Sequence, residues 1–231
     1  MTNLKRTFLG KKSVKEKSVQ NLQFVLASAS SRRFMLLAQI GLEPHEVCAT
    51  DIDETPKSRE HPASLAKRLA KEKALKAQEI LLWRNQNEQQ NMAQKMVILA
   101  ADTVVAVGRT ILPKPENEDE AYECLRFLSG RSHKVYTAVC ALNDARKITV
   151  KLVESRVRFR RLTALLMDAY LASGEWQGKA GGYAIQGKAS AFVVHIAGSY
   201  SNVVGLPLAE TMDLLTAYHY PVLAYWRGEI C

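Results

Sequence analysis

Val25-Leu-Ala-Ser-Ala-Ser-Ser-Arg-Arg33 reads as a strand that empties into the start of a helix. Phe24, Val25 and Leu26 form a short apolar run, the small residues Ala27, Ser28 and Ala29 follow, and Ser30 stands as an N-cap. Leu36, Leu37 and Ile40 then share one helical face, and Gly41 supplies the stop. Backbone N–H groups left free at such a helix start, together with the helix dipole, attract phosphate. Arg32 and Arg33 occupy the first turn, where their charge opposes the dipole, so an anionic ligand would compensate it. Read alone, the same residues also describe an ordinary capped helix with solvated arginines.

Working outward, strand-like and helix-like segments alternate. His45–Ala49 reads as a second short strand, and Asp51-Ile-Asp-Glu54 as a turn rich in carboxylates. Leu65, Leu69, Ala70 and Leu75 predict a long helix over Pro62–Trp83. Seven Asn or Gln residues between 85 and 94 read as a surface loop or a frayed helix end. Val97–Ala101 is a continuous apolar run, the mark of a strand buried on both faces, and it is expected to end at Asp102. Thr103–Leu112 reads as a hairpin turning at Gly108-Arg109, and Glu116–Leu128 as an amphipathic helix. His133–Leu142 and Thr149–Phe159 read as paired strands, with Arg156, Arg158 and Arg160 giving the second a solvated face. Leu165–Ala172 is helical, Phe192–Ile196 a strand, and Pro207 opens a last helix. This order implies an α/β protein with a mixed sheet flanked by helices, in two lobes with a cleft.

Composition bounds the partners. The chain of 231 residues is 47% hydrophobic and 24% charged, as expected of a soluble globular protein. No apolar run approaches the ~20 residues that cross a bilayer, and no apolar secretory segment opens the chain. Cys48, Cys124, Cys140 and Cys231 are scattered without a Cys-x-x-Cys pair, which reads as reduced thiols in the cytoplasm. The net charge of +9 is unevenly spread: residues 1–20 carry +5 and the other 211 carry +4. The basic leader, residues 1–20, reads as a disordered tail ahead of one domain over 21–231, and no stable nucleic-acid or membrane partner is expected.

Asp102 is the sharpest single residue, because a lone carboxylate at the end of a buried strand is costly and such strand ends border ligand crevices. It suits a metal ligand, a general base or the cap of a turn. Asp51, Asp53 and Glu54 are able to converge on it, and carboxylates with water suit Mg²⁺. Lys114 lies between Pro113 and Pro115, which makes it a positioned charge, whereas Lys73 alone reads as a helix-surface lysine. Two Gly-rich loops, 178–187 and 198–207, lack the Walker A and dinucleotide spacings. Gln186 can read a base edge through its amide, and His133 and His195 read as structural or peripheral.

Together these segments resemble the Maf family of nucleoside triphosphate pyrophosphatases, from about Phe24 to Leu215. The resemblance rests on Leu-Ala-Ser-Ala-Ser-Ser-Arg-Arg (26–33), Asp-Ile-Asp-Glu (51–54) and Arg-Leu-Ala-Lys-Glu-Lys-Ala (68–74). It continues through Ala-Ala-Asp-Thr-Val-Val (100–105), Lys-Pro (114–115), Ser-Gly-Arg-Ser-His-Lys-Val-Tyr-Thr (129–137) and both Gly-rich loops. It implies an elongated, two-lobed α/β fold, similar to inosine triphosphatases, with a nucleotide cleft. It further implies hydrolysis of the α–β phosphoanhydride with a divalent metal, Mg²⁺ with Mn²⁺ as the alternative. By resemblance Asp102 is the proton acceptor and, with Glu54, a metal ligand, and Ser28, Arg33, Lys73 and Lys114 bind phosphate. Arg32, Thr103 and Gln186 match the branch acting on dTTP and UTP rather than the 7-methyl-GTP branch, which carries Trp, Gln and Glu there. Ser31 departs from the family's usual Pro. The family also implies a cytoplasmic enzyme, in many members a homodimer, whose partner is its nucleoside triphosphate. Two other readings are a house-cleaning pyrophosphatase for non-standard nucleotides and a nucleotide-dependent regulator of septum formation.

Overall fold

The computed structural model describes residues 22–87 and 95–230. The basic leader and most of the Asn/Gln-rich stretch expected as a loop lie outside the described residues. In chain order the elements are β1 (Leu22–Ala27), α1 (Ser31–Gln39), β2 (Glu46–Val47), α2 (Pro62–Asn87), β3 (Lys95–Val107) and β4 (Thr110–Leu112). There follow α3 (Glu118–Leu128), β5 (Ser132–Asn143), β6 (Ile148–Phe159), α4 (Ala164–Leu171) and β7 (Val193–Ala197). Then come α5 (Tyr200–Val204), α6 (Leu208–Ala217) and α7 (Val222–Trp226), and two 3₁₀ turns shape the first Gly-rich loop and its exit. Pro207 caps α6, so the expected last helix is present, but α7 follows it. The five-residue helices α5 and α7 are too short to leave a periodic apolar pattern.

Among the described residues the strands form one seven-stranded sheet in the order β2-β1-β3-β5-β6-β7, with β4 beside β3. β1 pairs parallel with β2 and β3, and the remaining pairs are antiparallel, so the sheet is mixed as expected. Side chains alternate along β3. Val97, Leu99, Ala101 and Val105 enter the core on one face, and Ile98, Ala100, Val104 and Ala106 enter the core on the other. That two-sided burial is why the sequence shows an unbroken apolar run there. α2 covers the second face with Leu65, Leu69, Ala70, Ala74, Ala77 and Leu81. Its alanines let the helix backbone approach the small side chains Ala100 and Ala138 closely. The first face is covered by α1, α3, α4, α6 and the 178–192 region.

One expectation is corrected. β3 does not end at Asp102; it runs on to Val107 and turns at Gly108-Arg109 into β4. What ends there is its neighbour. β1 pairs with β3 only as far as Ala27 opposite Ala100, and β4 pairs only from Val105. Between those points this edge of β3 has no strand partner, and the chain leaving β1 turns away into α1. The crevice therefore opens beside Ala101–Val104, at the carboxyl end of a parallel strand, where α/β sheets place their ligands.

Candidate active site

Asp102 and Thr103 are successive residues of a pleated strand, so their side chains leave on opposite faces. Asp102 goes toward α2 and is 3% exposed. Its Oδ1 accepts a hydrogen bond from Lys73 Nζ at 2.6 Å, and the same ammonium lies 2.6 Å from Glu54 Oε1. Lys73 is not a surface lysine. It is four residues beyond Leu69 and four before Ala77, in the buried stripe of α2, and 7% exposed. Buried lysine and buried aspartate are each costly alone, and they are stable as a hydrogen-bonded pair.

Glu54 joins a second cation, since its Oε2 accepts from Lys114 Nζ. Burial would raise the Glu54 pKa, but the hydrogen bonds and charges of Lys114 and Lys73 outweigh it and hold the carboxyl down at about 2. Asp51 and Asp53 do not converge on Asp102. Both are exposed, and Asp53 accepts from the Thr55 N–H in a local turn. The lowered Glu54 pKa carries a sign: its stabilisation is complete above about pH 4.5 and is lost as pH falls toward 2. A third of the side chain is exposed, so the effect is about 1 kcal/mol at most. Urea unfolding of wild type and Glu54→Gln is expected to differ at pH 7 and to converge as pH falls toward 2.

Thr103 faces the other way and meets Arg33. The Arg33 guanidinium donates to Gly205 O at 2.8 Å, Ser28 Oγ at 3.1 Å and Thr103 Oγ1 at 3.3 Å, all neutral acceptors. Gly205 sits at φ 128°, and a Cβ there would lie 3.3 Å from Thr103 Oγ1, so glycine lets the loop carbonyl reach the arginine. Burial lowers the pKa of both Arg32 and Arg33; Asp102 opposes this for Arg33 and Arg32 adds to it. Neither arginine forms an ion pair among the described residues.

The start of α1 differs from that of α3. α3 has the Asn117 side chain accepting from Glu120 N, with Glu118, Asp119 and Glu120 in its first turn. α1 has Ser30 at the expected cap position, but no side-chain cap bond, no acid and two arginines. Ser30 N instead donates to Ser28 Oγ at 3.2 Å. The N–H groups of Ser31 and Arg32 have no hydrogen bond among the described residues. A positive helix end carrying additional positive charge is suited to an anion.

These groups line a continuous cleft, one part of which encloses about 320 Å³ between Ser28, Arg33, Glu54, Lys73, Lys114 and Lys179. Its other part is walled by Arg32, Asp102, Thr103, Tyr183 and Val204. Five cations (Arg32, Arg33, Lys73, Lys114 and Lys179) meet two carboxylates, an excess of three positive charges. Lys179 was not singled out as a site residue from the sequence, although the Gly-Lys-Ala-Gly-Gly context holds it. Burial and the neighbouring Arg32 lower its pKa. Gly181 N donates to Pro113 O at 2.9 Å, which ties this loop to the Lys114 segment.

Gln186 is not brought into the cleft: it is exposed and absent from the lining, while Tyr183 of the same loop takes a place there. Tyr183 Oη is 2.8 Å from Nε2 of His133, which is 1% exposed and whose pKa burial lowers to about 4. His133 is thus a neutral anchor for the loop, and His195 is exposed.

Such a cleft is suited to a multiply charged anion lying beside a shielded carboxylate. Residues 23–218 match the family model described as Maf-like protein, and the chain belongs to that family. It is 75% identical over 230 residues to a dTTP/UTP pyrophosphatase of Bartonella henselae, covering 99% of each chain. It is 78% identical over 230 residues to one of Bartonella quintana, again covering 99% of each. A dTTP/UTP pyrophosphatase of Brucella abortus is 57% identical, covering 88% of this chain and 95% of that one. Among solved structures, a HAM1 protein from Coxiella burnetii aligns with TM-score 0.42 at 17% identity, covering 85% of this chain and 99% of that one.

Proposed function

We propose that this protein hydrolyses dTTP and UTP to the nucleoside monophosphate and pyrophosphate. The observation that carries the reading is the geometry around Lys73: a shielded carboxylate, Asp102, beside a cleft with an excess of three positive charges. Phosphoryl transfer is driven mainly by positioning and charge neutralisation, and this cleft supplies both. The high-identity relatives named dTTP/UTP pyrophosphatase support the choice of nucleotides.

Lys73 occupies Asp102 Oδ1, and Oδ2 has no hydrogen-bond partner among the described residues. Oδ2 accepts the proton of a water molecule, whose oxygen forms the new bond to the α-phosphorus. The α–β bridging bond breaks, and pyrophosphate leaves with the electron pair. Arg33, Lys114 and Lys179, with the free N–H groups of α1, hold the phosphate oxygens and take up the developing charge. Ser28 keeps the Arg33 fork oriented.

A divalent cation fits this site. Asp102 and Glu54 are held on either side of one ammonium, and two carboxylates with phosphate oxygens make a Mg²⁺ donor set, with Mn²⁺ as the alternative. Among the described residues no group of three or more His, Cys, Asp or Glu side chains is poised to hold a metal ion. When bound it supplies charge neutralisation of the phosphates and acidifies water.

No described helix is long and apolar enough to cross a membrane. We place the enzyme in the cytoplasm, free of stable nucleic-acid or membrane partners and able to pair with a second copy of itself; the free thiols of Cys48, Cys124 and Cys140 support that compartment. The test is product identity with UTP and dTTP. UMP and dTMP with pyrophosphate are expected; UDP or dTDP with orthophosphate refutes cleavage at the α–β bond. Turnover confined to non-standard nucleotides would replace the substrate and leave the reaction.

A further inference from the structure

Thr137 closes the Ser129–Thr137 motif, and the reaction above makes no use of it. It is fully buried and lies directly opposite Thr103 in the antiparallel β3–β5 pair. Opposed residues share a face, and the two hydroxyl oxygens meet at 3.0 Å. Each hydroxyl owns one proton. Thr137 Oγ1 is 2.9 Å from the backbone carbonyl of Asn202, which can only accept, so the Thr137 proton is committed there. Thr103 must then donate the proton of the bond between the two threonines. Arg33 Nη2, which can only donate, directs its own N–H at Thr103 Oγ1. Every proton in the series from Arg33 through Thr103 and Thr137 to Asn202 therefore points one way, inward from the cleft.

The inner end is locked. Asn202 is fully buried, and its Nδ2 donates to Val135 O at 3.1 Å and to Ser155 Oγ at 2.9 Å. Ser155 Oγ in turn donates to Ser199 O at 3.1 Å. A Cβ at Gly198 would lie 2.6 Å from Ser155 Oγ, so the glycine is what lets the second Gly-rich loop seat on β6.

We propose that Thr137 is a positioning residue that holds Thr103 as a one-way hydrogen-bond acceptor toward the cleft, so that the site selects a ligand bearing an N–H or O–H donor at that point. The proposal rests on the nucleotide reading above and sharpens it. Uracil and thymine carry such a donor in the imide N3–H, where cytosine has a bare acceptor nitrogen; the sugar carries another in its 3′-hydroxyl. Thr103 lines the cleft and is only half-buried, so one lone pair remains for the ligand after Arg33 has taken the other.

The experiment measures kcat/KM for UTP, CTP and 3′-deoxy-UTP with wild type, Thr137→Val and Thr137→Ser. Wild type is expected to prefer UTP about tenfold or more over the analogue that lacks the donor. Thr137→Val frees the Thr103 hydroxyl to turn and donate, and is expected to shrink that preference several-fold; Thr137→Ser, which keeps the hydroxyl, is expected to retain it. Collapse of the UTP/CTP ratio identifies the imide, and collapse of the UTP/3′-deoxy-UTP ratio identifies the sugar hydroxyl. Equal losses on all three substrates, or unchanged ratios, overturn the proposal. If Thr137→Val does not fold, Thr103→Val, which removes the acceptor itself, must abolish the same preference, and its persistence overturns the proposal. Wild-type turnover with no preference against either analogue overturns this proposal alone. Absence of pyrophosphate from every nucleotide overturns the functional reading and this proposal with it.

Discussion

Asp102→Asn is expected to lower kcat for UTP by about 10²–10⁴-fold, the usual contribution of a general base, while the protein still folds and still binds nucleotide. The amide keeps the shape of the carboxylate and can still accept a hydrogen bond from Lys73, but it has little affinity for the water proton. Folding is preserved because Lys73 retains Glu54 as a charged partner. Single-turnover release of pyrophosphate, read beside nucleotide binding by calorimetry, separates the two effects. Near wild-type turnover by this variant would make Asp102 a structural partner of Lys73 and move the base elsewhere.

Lys73→Met is expected to be the most destabilising single change in the cleft. It leaves Asp102 charged and shielded with no cation in contact, and breaking a buried pair from one side costs about 3–5 kcal/mol. For a chain of this length that lowers Tm by roughly 6–20 °C. The pair with Glu54 contributes less, because 35% of the Glu54 side chain meets solvent. The double variant Lys73→Met/Asp102→Asn is expected to be more stable than Lys73→Met alone, since the orphaned charge is gone and the two sites are coupled. Thermal melts of the three proteins at pH 7 check this. A Lys73→Met protein that melts with wild type would show that the buried pair contributes nothing to stability.

Much of the fold was legible because the pattern was local. The apolar run of β3, the periodic face of α1 and the turn at Gly108-Arg109 each declare themselves within a dozen residues. The anion-suited start of α1 was legible for the same reason, since Ser28, Ser30, Arg32 and Arg33 lie in one short stretch. α5 and α7 were not, being too short for a period, and β2 shrank to Glu46–Val47 because only those residues pair in ladder register with β1, while His45 and Cys48 add single hydrogen bonds to it.

The site was legible as a set of residues and not as an arrangement. Residue identity and order marked Asp102, Glu54 and Lys114, and the family resemblance added Lys73. The roles of neighbours were decided by tertiary structure. Lys73 read as a surface lysine until the depth of α2 on the sheet placed it between two carboxylates. Asp102 read as a strand end, because a sequence does not show that the terminating strand is its neighbour. Gln186 read as able to meet a base edge through its amide, whereas the fold turns Tyr183 into the cleft and leaves Gln186 exposed. Thr137 could not be connected to Thr103 without the β3–β5 register, which joins positions 34 residues apart. Sequence by itself thus determined which chemical groups this protein has and which segments become strands and helices, because those depend on local periodicity and residue type. Only the tertiary structure decided which charges are shielded, which carboxylates share a cation and which way a hydroxyl proton points, because burial and hydrogen-bond direction are set by partners distant in the chain.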